Sequence, residues 1–268
     1  MKSELLRNRI EFHLSKLVCN ESAFKISDIG RQRDIGLHDI PLSGFERYWV
    51  SPSDIERMTG RSWKPWDNRK KLFGAIKTGD WDQRAPPIPE SDPLYPHYSS
   101  KFDEWTRYIA LQEHLDGKSW SDTQYYKLRI EEGWTHQNLE NEIQHLKNLY
   151  ESIQENGYLT QKELGKYPQD KRNRLGNEIT VDISRDGEFL HVDGHHRLEV
   201  AKSLNLETIP VVVLVRHDKW VNKLEELTVS GKILDLPLTH PDVKKCRNQC
   251  HFGSATSEPS SMPRERSW

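Results

Sequence analysis

The clearest periodicity in the chain lies between Leu139 and Asn156. Leu139, Ile143, Leu146, Tyr150 and Ile153 recur at helical spacing, with polar residues filling the opposite face. Asn138 is a candidate N-cap, and Gly157 follows as the residue that ends the helix. Further on the period changes to two. Glu178 to Ile183 alternates as a half-buried strand, Asp186-Gly187 marks a turn, and Glu188 to Val192 returns as the second strand. Leu198 to Leu206 predicts a helix through Leu198, Ala201 and Leu204. Ile209 to Val215, "IPVVVLV", is apolar without alternation and predicts a buried strand. Val221 to Leu227 predicts a last helix.

The first half of the chain is less regular. Ser3 to Leu17 predicts an amphipathic helix through Leu6, Ile10, Leu14 and Leu17. Arg47 to Ile55 predicts a short strand that Pro52 ends. Trp49, Trp63, Trp66 and Trp81 come next, then a connector containing Pro86, Pro87, Pro89, Pro93 and Pro96. Helical spacing returns from Lys101 to Arg129 through Trp105, Ile109, Leu111 and Leu115. Aromatic residues beside basic ones can stack on bases, but tryptophans mixed with prolines point first to a small satellite core. Tyr158 to Asn177 reads as an exposed loop, in which Lys171, Arg172 and Arg174 either meet phosphates or face water. From about Arg247 the composition predicts disorder. The chain thus divides into an N-terminal helical segment (1–46), a main domain (47–227) with an insertion (56–138), and a C-terminal extension (228–268).

Composition narrows the function classes. The 268 residues are 34% hydrophobic and 30% charged, which gives a modest core and a heavily charged surface. A net charge of −2 supplies no general attraction to nucleic acid or anionic membranes. No apolar run approaches the roughly 20 residues that cross a bilayer. Met1 to Val18 lacks the apolar stretch of a signal peptide, so the expected location is cytoplasmic, with no membrane partner. Cys19, Cys246 and Cys250 are too few for a disulfide framework. Cys246, Cys250 and His251 have no matching second pair, so they read as free thiols beside a histidine rather than as a metal site.

The densest chemistry falls where a predicted strand gives way to a predicted helix, at Asp193-Gly194-His195-His196-Arg197. Gly194 permits a backbone that other residues resist. The free N–H groups of a helix start form an anion site. Arg197 can grip phosphate oxygens, and His195 and His196 can donate to phosphate or move a proton near neutral pH. Asp193 can hold a divalent cation or cap the helix. The alternative is structural: Asp193 is a cap and the histidines face solvent.

The segments "LYESIQENGYL" and "EITVDISRDGEFLHVDGHHRLEVAKSLNLETIPVVVLV" resemble the N-terminal domain of the ParB/sulfiredoxin superfamily. The resemblance covers about Leu139 to Val215, with "YWVSPSDI" as a first strand, and leaves roughly half the chain outside it. It implies an α/β (α+β) fold: a small mixed sheet with packed helices, here with a helical Trp/Pro-rich elaboration. Partition ParB proteins, which bind CTP, carry Gly-Glu-Arg-Arg at the turn; only Arg197 matches, and no helix-turn-helix follows. Sulfiredoxins carry a cysteine where this chain has His195, which excludes their chemistry. The free serine kinases, which use ADP or ATP, carry Asp-Gly-His-His-Arg, and Asp193 to Arg197 matches in full.

The resemblance implies a nucleotide (ATP, ADP or CTP) held by Gly194, His195, His196 and Arg197, with Mg²⁺ at Asp193. The expected activity is phosphotransfer to a small hydroxyl acceptor, or nucleotide hydrolysis. Phosphoryl transfer also needs a base near the acceptor. In the kinase branch this is a glutamate near the start of the preceding helix. Glu132, Glu140 and Glu142 are on offer there, beside Gln137, which cannot take a proton. Glu132 or Glu140, or else His136, is expected to face the turn. The competing class is a non-enzymatic nucleotide-gated module or, less favoured, a DNA-associated one.

Overall fold

The apolar run at 209–217 becomes the centre of the sheet. In the computed structural model, which describes residue 42 and residues 46–61, 72–86, 101–166, 175–236 and 238–253, the protein is a mixed α/β fold. Strand β6 (Ile209–His217) is buried along its whole length. Strand β4 (Ile179–Ile183) pairs with it in parallel. Its other edge is divided between β1 (Arg47–Val50), antiparallel to residues 209–212, and β3 (Ala75–Lys77), parallel to residues 215–217. Strand β5 (Phe189–Asp193) runs antiparallel to β4, and β2 (Arg57–Met58) adds to β5 in parallel. The order is β1-β6-β4-β5-β2, with β3 on β6, so β5 and β6 point in opposite directions.

Six helices accompany the sheet among the described residues: α1 (Thr106–Leu115), α2 (Gln124–Glu131), α3 (His136–Asn156), α4 (His195–Ser203), α5 (Asp218–Val229) and α6 (Pro241–Gly253). One face of the sheet, through Ile179, Val181, Val211 and Val213, packs on Leu198 and Ala201 of α4, Val221 of α5 and Val243 of α6. The other face, through Leu190, Val192, Val212 and Leu214, is covered by Phe73, Trp81 and Leu175. Helices α1, α2 and α3 form a further cluster that meets α4 at Val200. Burial on both faces is why β4 and β5 bury every residue instead of showing half-buried alternation.

Local rules account for the shifted boundaries. Helix α3 starts before Leu139 because Thr135, not Asn138, is its cap: the Thr135 hydroxyl accepts the Asn138 N–H at 3.1 Å. The predicted 101–129 helix is broken after Leu115, where Gly117 takes φ +98°, and restarts at the Thr123 cap. Helix α4 begins at His195 and ends at Ser203, near Asn205, whose φ is +49°. Strand β1 stops at Val50, and Pro52 opens a 3₁₀ turn.

Two expectations are corrected. Val221–Leu227 does not hold the last helix, and disorder does not begin at about 247, because α6 runs from 241 to 253. Helix α6 is held by Asp242, which accepts from Arg216 Nε and Nη2 at 2.9 and 2.7 Å and from Trp220 Nε1 at 3.1 Å. Arg216 and Asp242 are fully buried.

Trp81 joins the cluster on the second sheet face, as a satellite core predicts, whereas Trp49 is 56% exposed. Cys246 is buried in the core beneath α6. The predicted Ser3–Leu17 helix, Trp63, Trp66, most of the proline connector and Lys171, Arg172 and Arg174 lie outside the described residues.

Candidate functional site

The Asp193–Arg197 segment lies at the end of β5, where the chain turns into α4. Gly194 sits in the left-handed region (φ +90°, ψ +28°), and a Cβ there would lie 2.9 Å from the Ile179 Cα. Glycine is required on both counts. Gly194 is also the residue that caps α4, so no side-chain oxygen closes the helix start. The first helical hydrogen bond runs from Leu198 N–H to the Gly194 carbonyl at 3.1 Å. The N–H groups of His195, His196 and Arg197 therefore precede the helical ladder. No acidic side chain stands in the first turn of α4. Asp193 ends β5 opposite Thr180, is nearly buried, and is not the cap.

Two buried charge networks flank this turn. On one side, Glu178 is completely buried and accepts from Arg197 Nη1 at 3.2 Å, Arg47 Nε at 3.0 Å and the Gln161 N–H at 2.9 Å. Arg197 also lies 5.8 Å from the centre of the Tyr158 ring. The Tyr158 hydroxyl is buried without a hydrogen-bond partner among the described residues, and burial pushes its pKa well up. Arg197 is thus fixed in place by an interior carboxylate while its backbone belongs to the helix start.

On the other side, Arg107 of α1 donates Nε and Nη2 to Glu199 of α4, both at 2.9 Å, and Nη1 to Glu142 of α3 at 2.8 Å. The Tyr125 hydroxyl of α2 donates to the same Glu142 Oε1 at 2.8 Å. The His196 Nε2 lies 3.7 Å from that oxygen, which is electrostatic range and too long for a hydrogen bond. Glu142 Oε2 and His196 Nε2 are both buried and have no hydrogen-bond partner among the described residues. Burial works to raise the Glu142 pKa, but His196, Arg107 and Tyr125 outweigh it and hold the carboxyl down at about 2. Burial, aided by Arg107, lowers the His196 pKa, while Glu142 pulls it the other way. His145, exposed on α3, stands edge-on to the His196 ring at 5.8 Å, and the His195 ring is 4.4 Å away.

The side chain expected to face the turn is therefore replaced. Glu132 pairs with Arg129 at 3.1 Å, His136 Nδ1 meets the Tyr126 hydroxyl at 2.9 Å, and Glu140 lies beside Tyr126 as well. These three contact α2, and Gln137 bonds to Asn141 on the exposed face. Glu142 is the glutamate of that group that reaches His196. Helical geometry is the reason: Glu142 is three residues from Leu139 and one from Ile143, at the margin of the buried stripe. Arg107 carried a readable signal too. It shares the buried face of α1 with Ala110 and Leu111, and a guanidinium there demands buried partners.

Among the described residues no group of three or more His, Cys, Asp or Glu side chains is arranged to hold a metal ion. Asp193 is the carboxylate at the turn; Mg²⁺ in general takes one or two carboxylates and fills the rest of its shell with phosphate oxygens and water. At the far end of β5 a separate cleft of about 460 Å³ opens between the 186–189 hairpin, Arg57, Trp220 and His240. None of its lining residues belongs to the 193–197 turn. No helix among the described residues is long and apolar enough to cross a membrane. No protein-family model, curated protein or solved structure matches this chain.

Proposed function

We propose that the Asp193–Arg197 turn binds the phosphates of a nucleotide (ATP, ADP or CTP) together with Mg²⁺, and that the protein transfers a phosphoryl group to a small hydroxyl acceptor or to water. The observation that carries the reading is a glycine-led helix start with no side-chain cap, beside two buried atoms, His196 Nε2 and Glu142 Oε2, that have no hydrogen-bond partner among the described residues. Buried polar atoms are rarely left without partners unless a ligand, an ion or a proton uses them. The full match of Asp193–Arg197 to the turn of the free serine kinases is the second support.

Bound Mg²⁺ supplies neutralisation of the phosphate oxygens, and Asp193 is the carboxylate at the turn that would hold it. The N–H groups of α4's first turn and the Arg197 guanidinium orient the phosphates. The acceptor O–H loses its proton to an imidazole as its oxygen bonds to phosphorus, and the bond from phosphorus to the leaving phosphate oxygen breaks. His196 is the better base. A carboxyl near 2 such as Glu142 holds protons too weakly near pH 7, whereas a neutral imidazole accepts them. Glu142 then stabilises the imidazolium.

The test is a thermal-shift series with ATP, GTP, CTP, UTP and ADP, with and without Mg²⁺. A nucleotide at about 100 times its Kd stabilises the fold by about 2.7 kcal/mol. One or more nucleotides should raise Tm in a Mg²⁺-dependent way, and Asp193→Asn should weaken that dependence. Absence of a shift with all five overturns the reading. Labelled ATP or ADP with a panel of hydroxyl compounds that includes serine then separates enzyme from module. Binding without turnover across the panel favours the nucleotide-gated module.

A further inference from the structure

The helices between β2 and α3 lie outside the stretch on which the family resemblance rests, yet two of their side chains reach into the site. Arg107 of α1 bridges Glu199 and Glu142, which belong to two different helices. Glu199 lies one helical turn beyond His195, so this bridge ties the middle of α4 to the first third of α3. Tyr125 of α2 donates to the same oxygen, Glu142 Oε1. With Oε1 held by two donors, Oε2 is the oxygen left over, and it is buried at the site without a hydrogen-bond partner among the described residues. Arg107, Tyr125 and Glu199 are themselves almost wholly buried, so the arrangement is part of the packed interior.

We infer that Arg107 and Tyr125 are positioning residues: they clamp Glu142 in one rotamer against His196, so that residues 101–131 form part of the site and are not a separate ornament. The role in turnover rests on the phosphoryl-transfer reading above; the clamp itself does not. A fork is needed because a guanidinium can serve both Glu199 oxygens and still reach Glu142, which a lysine ammonium cannot do in that geometry. The groups facing His196 are Glu142 and His145 from α3, Arg107 from α1, and His195 and Glu199 from its own helix.

The experiment is a double-mutant cycle read by NMR titration of the His196 ring in the full chain. Glu142→Gln removes a nearby anion, so in the wild-type background the His196 midpoint should fall by about one pH unit. In the Tyr125→Phe and Arg107→Lys backgrounds a released Glu142 no longer sits against the ring. There the same substitution should move the midpoint by less than about half as much. An equal displacement in all backgrounds overturns the inference. Tyr125→Phe deletes one hydroxyl and keeps the packed ring, so the cycle stays readable if Arg107→Lys does not fold. Nucleotide affinity of the wild type, measured separately by calorimetry, distinguishes the two ideas. No binding sinks the phosphoryl-transfer reading and leaves the clamp standing, whereas an unchanged cycle in a protein that binds nucleotide sinks the clamp alone.

Discussion

Strand β5 runs into α4 and strand β6 runs into α5, and the two junctions lie at opposite ends of the same sheet. At the β6 junction His217 precedes the helix. Its Nδ1 accepts the Lys219 N–H at 3.1 Å and its Nε2 donates to the Gly79 carbonyl at 2.7 Å. Asp218 then places a carboxylate in the first turn, where the helix dipole favours it. Helix α6 starts in a similar way: His240 Nδ1 accepts the Asp242 N–H, and its Nε2 donates to the Gly187 carbonyl. At the β5 junction the order is reversed. A glycine precedes the helix, and His195, His196 and Arg197 stand inside its first turn. A histidine just before a helix closes it, whereas histidines just inside one leave the positive end open. The first arrangement is structural, and the second suits an anion.

Gly194→Ala should produce the largest effect, because the open junction depends on a left-handed residue packed on backbone. Alanine there combines an unfavourable φ with a contact at 2.9 Å to the Ile179 Cα. The expected loss is about 2–5 kcal/mol, from conformational and overpacking costs together. Gly231→Ala has a similar φ but open space around it, so urea denaturation should show only the conformational part, about 1–2 kcal/mol. Equal losses at the two positions would remove the packing argument.

Acid should act on the open junction next. The Glu142 carboxyl falls from 4.5 to about 2 on folding, so its stabilising contribution is complete above 4.5 and is lost as pH falls towards 2. The contribution is about 3 kcal/mol. In Glu142→Gln the stability should therefore decline less steeply between those two pH values, as read from urea midpoints at stepped pH.

Arg197→Ala should weaken nucleotide binding by about 1.5–3 kcal/mol, the worth of a charged hydrogen bond. Glu178 keeps Arg47 and the Gln161 N–H as partners, so the protein should remain folded. Unchanged affinity by calorimetry would remove Arg197 from the site. The smallest effect on nucleotide binding belongs to the closed junction. His217→Ala removes the cap and the buried bond to the Gly79 carbonyl, so it should cost about 2–4 kcal/mol of stability in urea denaturation and leave nucleotide affinity untouched.

Much of the fold was legible because the sheet is built from short runs with plain signals. Residues 209–215 announce a buried strand by being apolar without a break, and Asp186-Gly187 marks the hairpin between β4 and β5. The last two residues of β6, Arg216 and His217, were not legible, because their burial depends on Asp242 and Gly79, which are distant in sequence. At the candidate site the turn could be read from Gly194 and its neighbours. Its surroundings could not: Glu178, Tyr158 and Arg107 arrive from three separate segments. The start of α4 was legible from the bend and not from periodicity: its first turn, His195 to Arg197, is polar, and the apolar period begins only at Leu198.

The buried pair of Arg216 and Asp242 fixes where the chain can be cut. Any fragment that stops before residue 241 keeps a buried guanidinium near the end of the central strand and discards the carboxylate that answers it. Tyr48, at 3.0 Å, supplies a neutral oxygen but no charge. Breaking such a pair costs about 3–5 kcal/mol, a large share of a typical domain's stability. The smallest portion able to fold on its own must therefore reach at least through Cys246, the buried residue that seats α6 on the core.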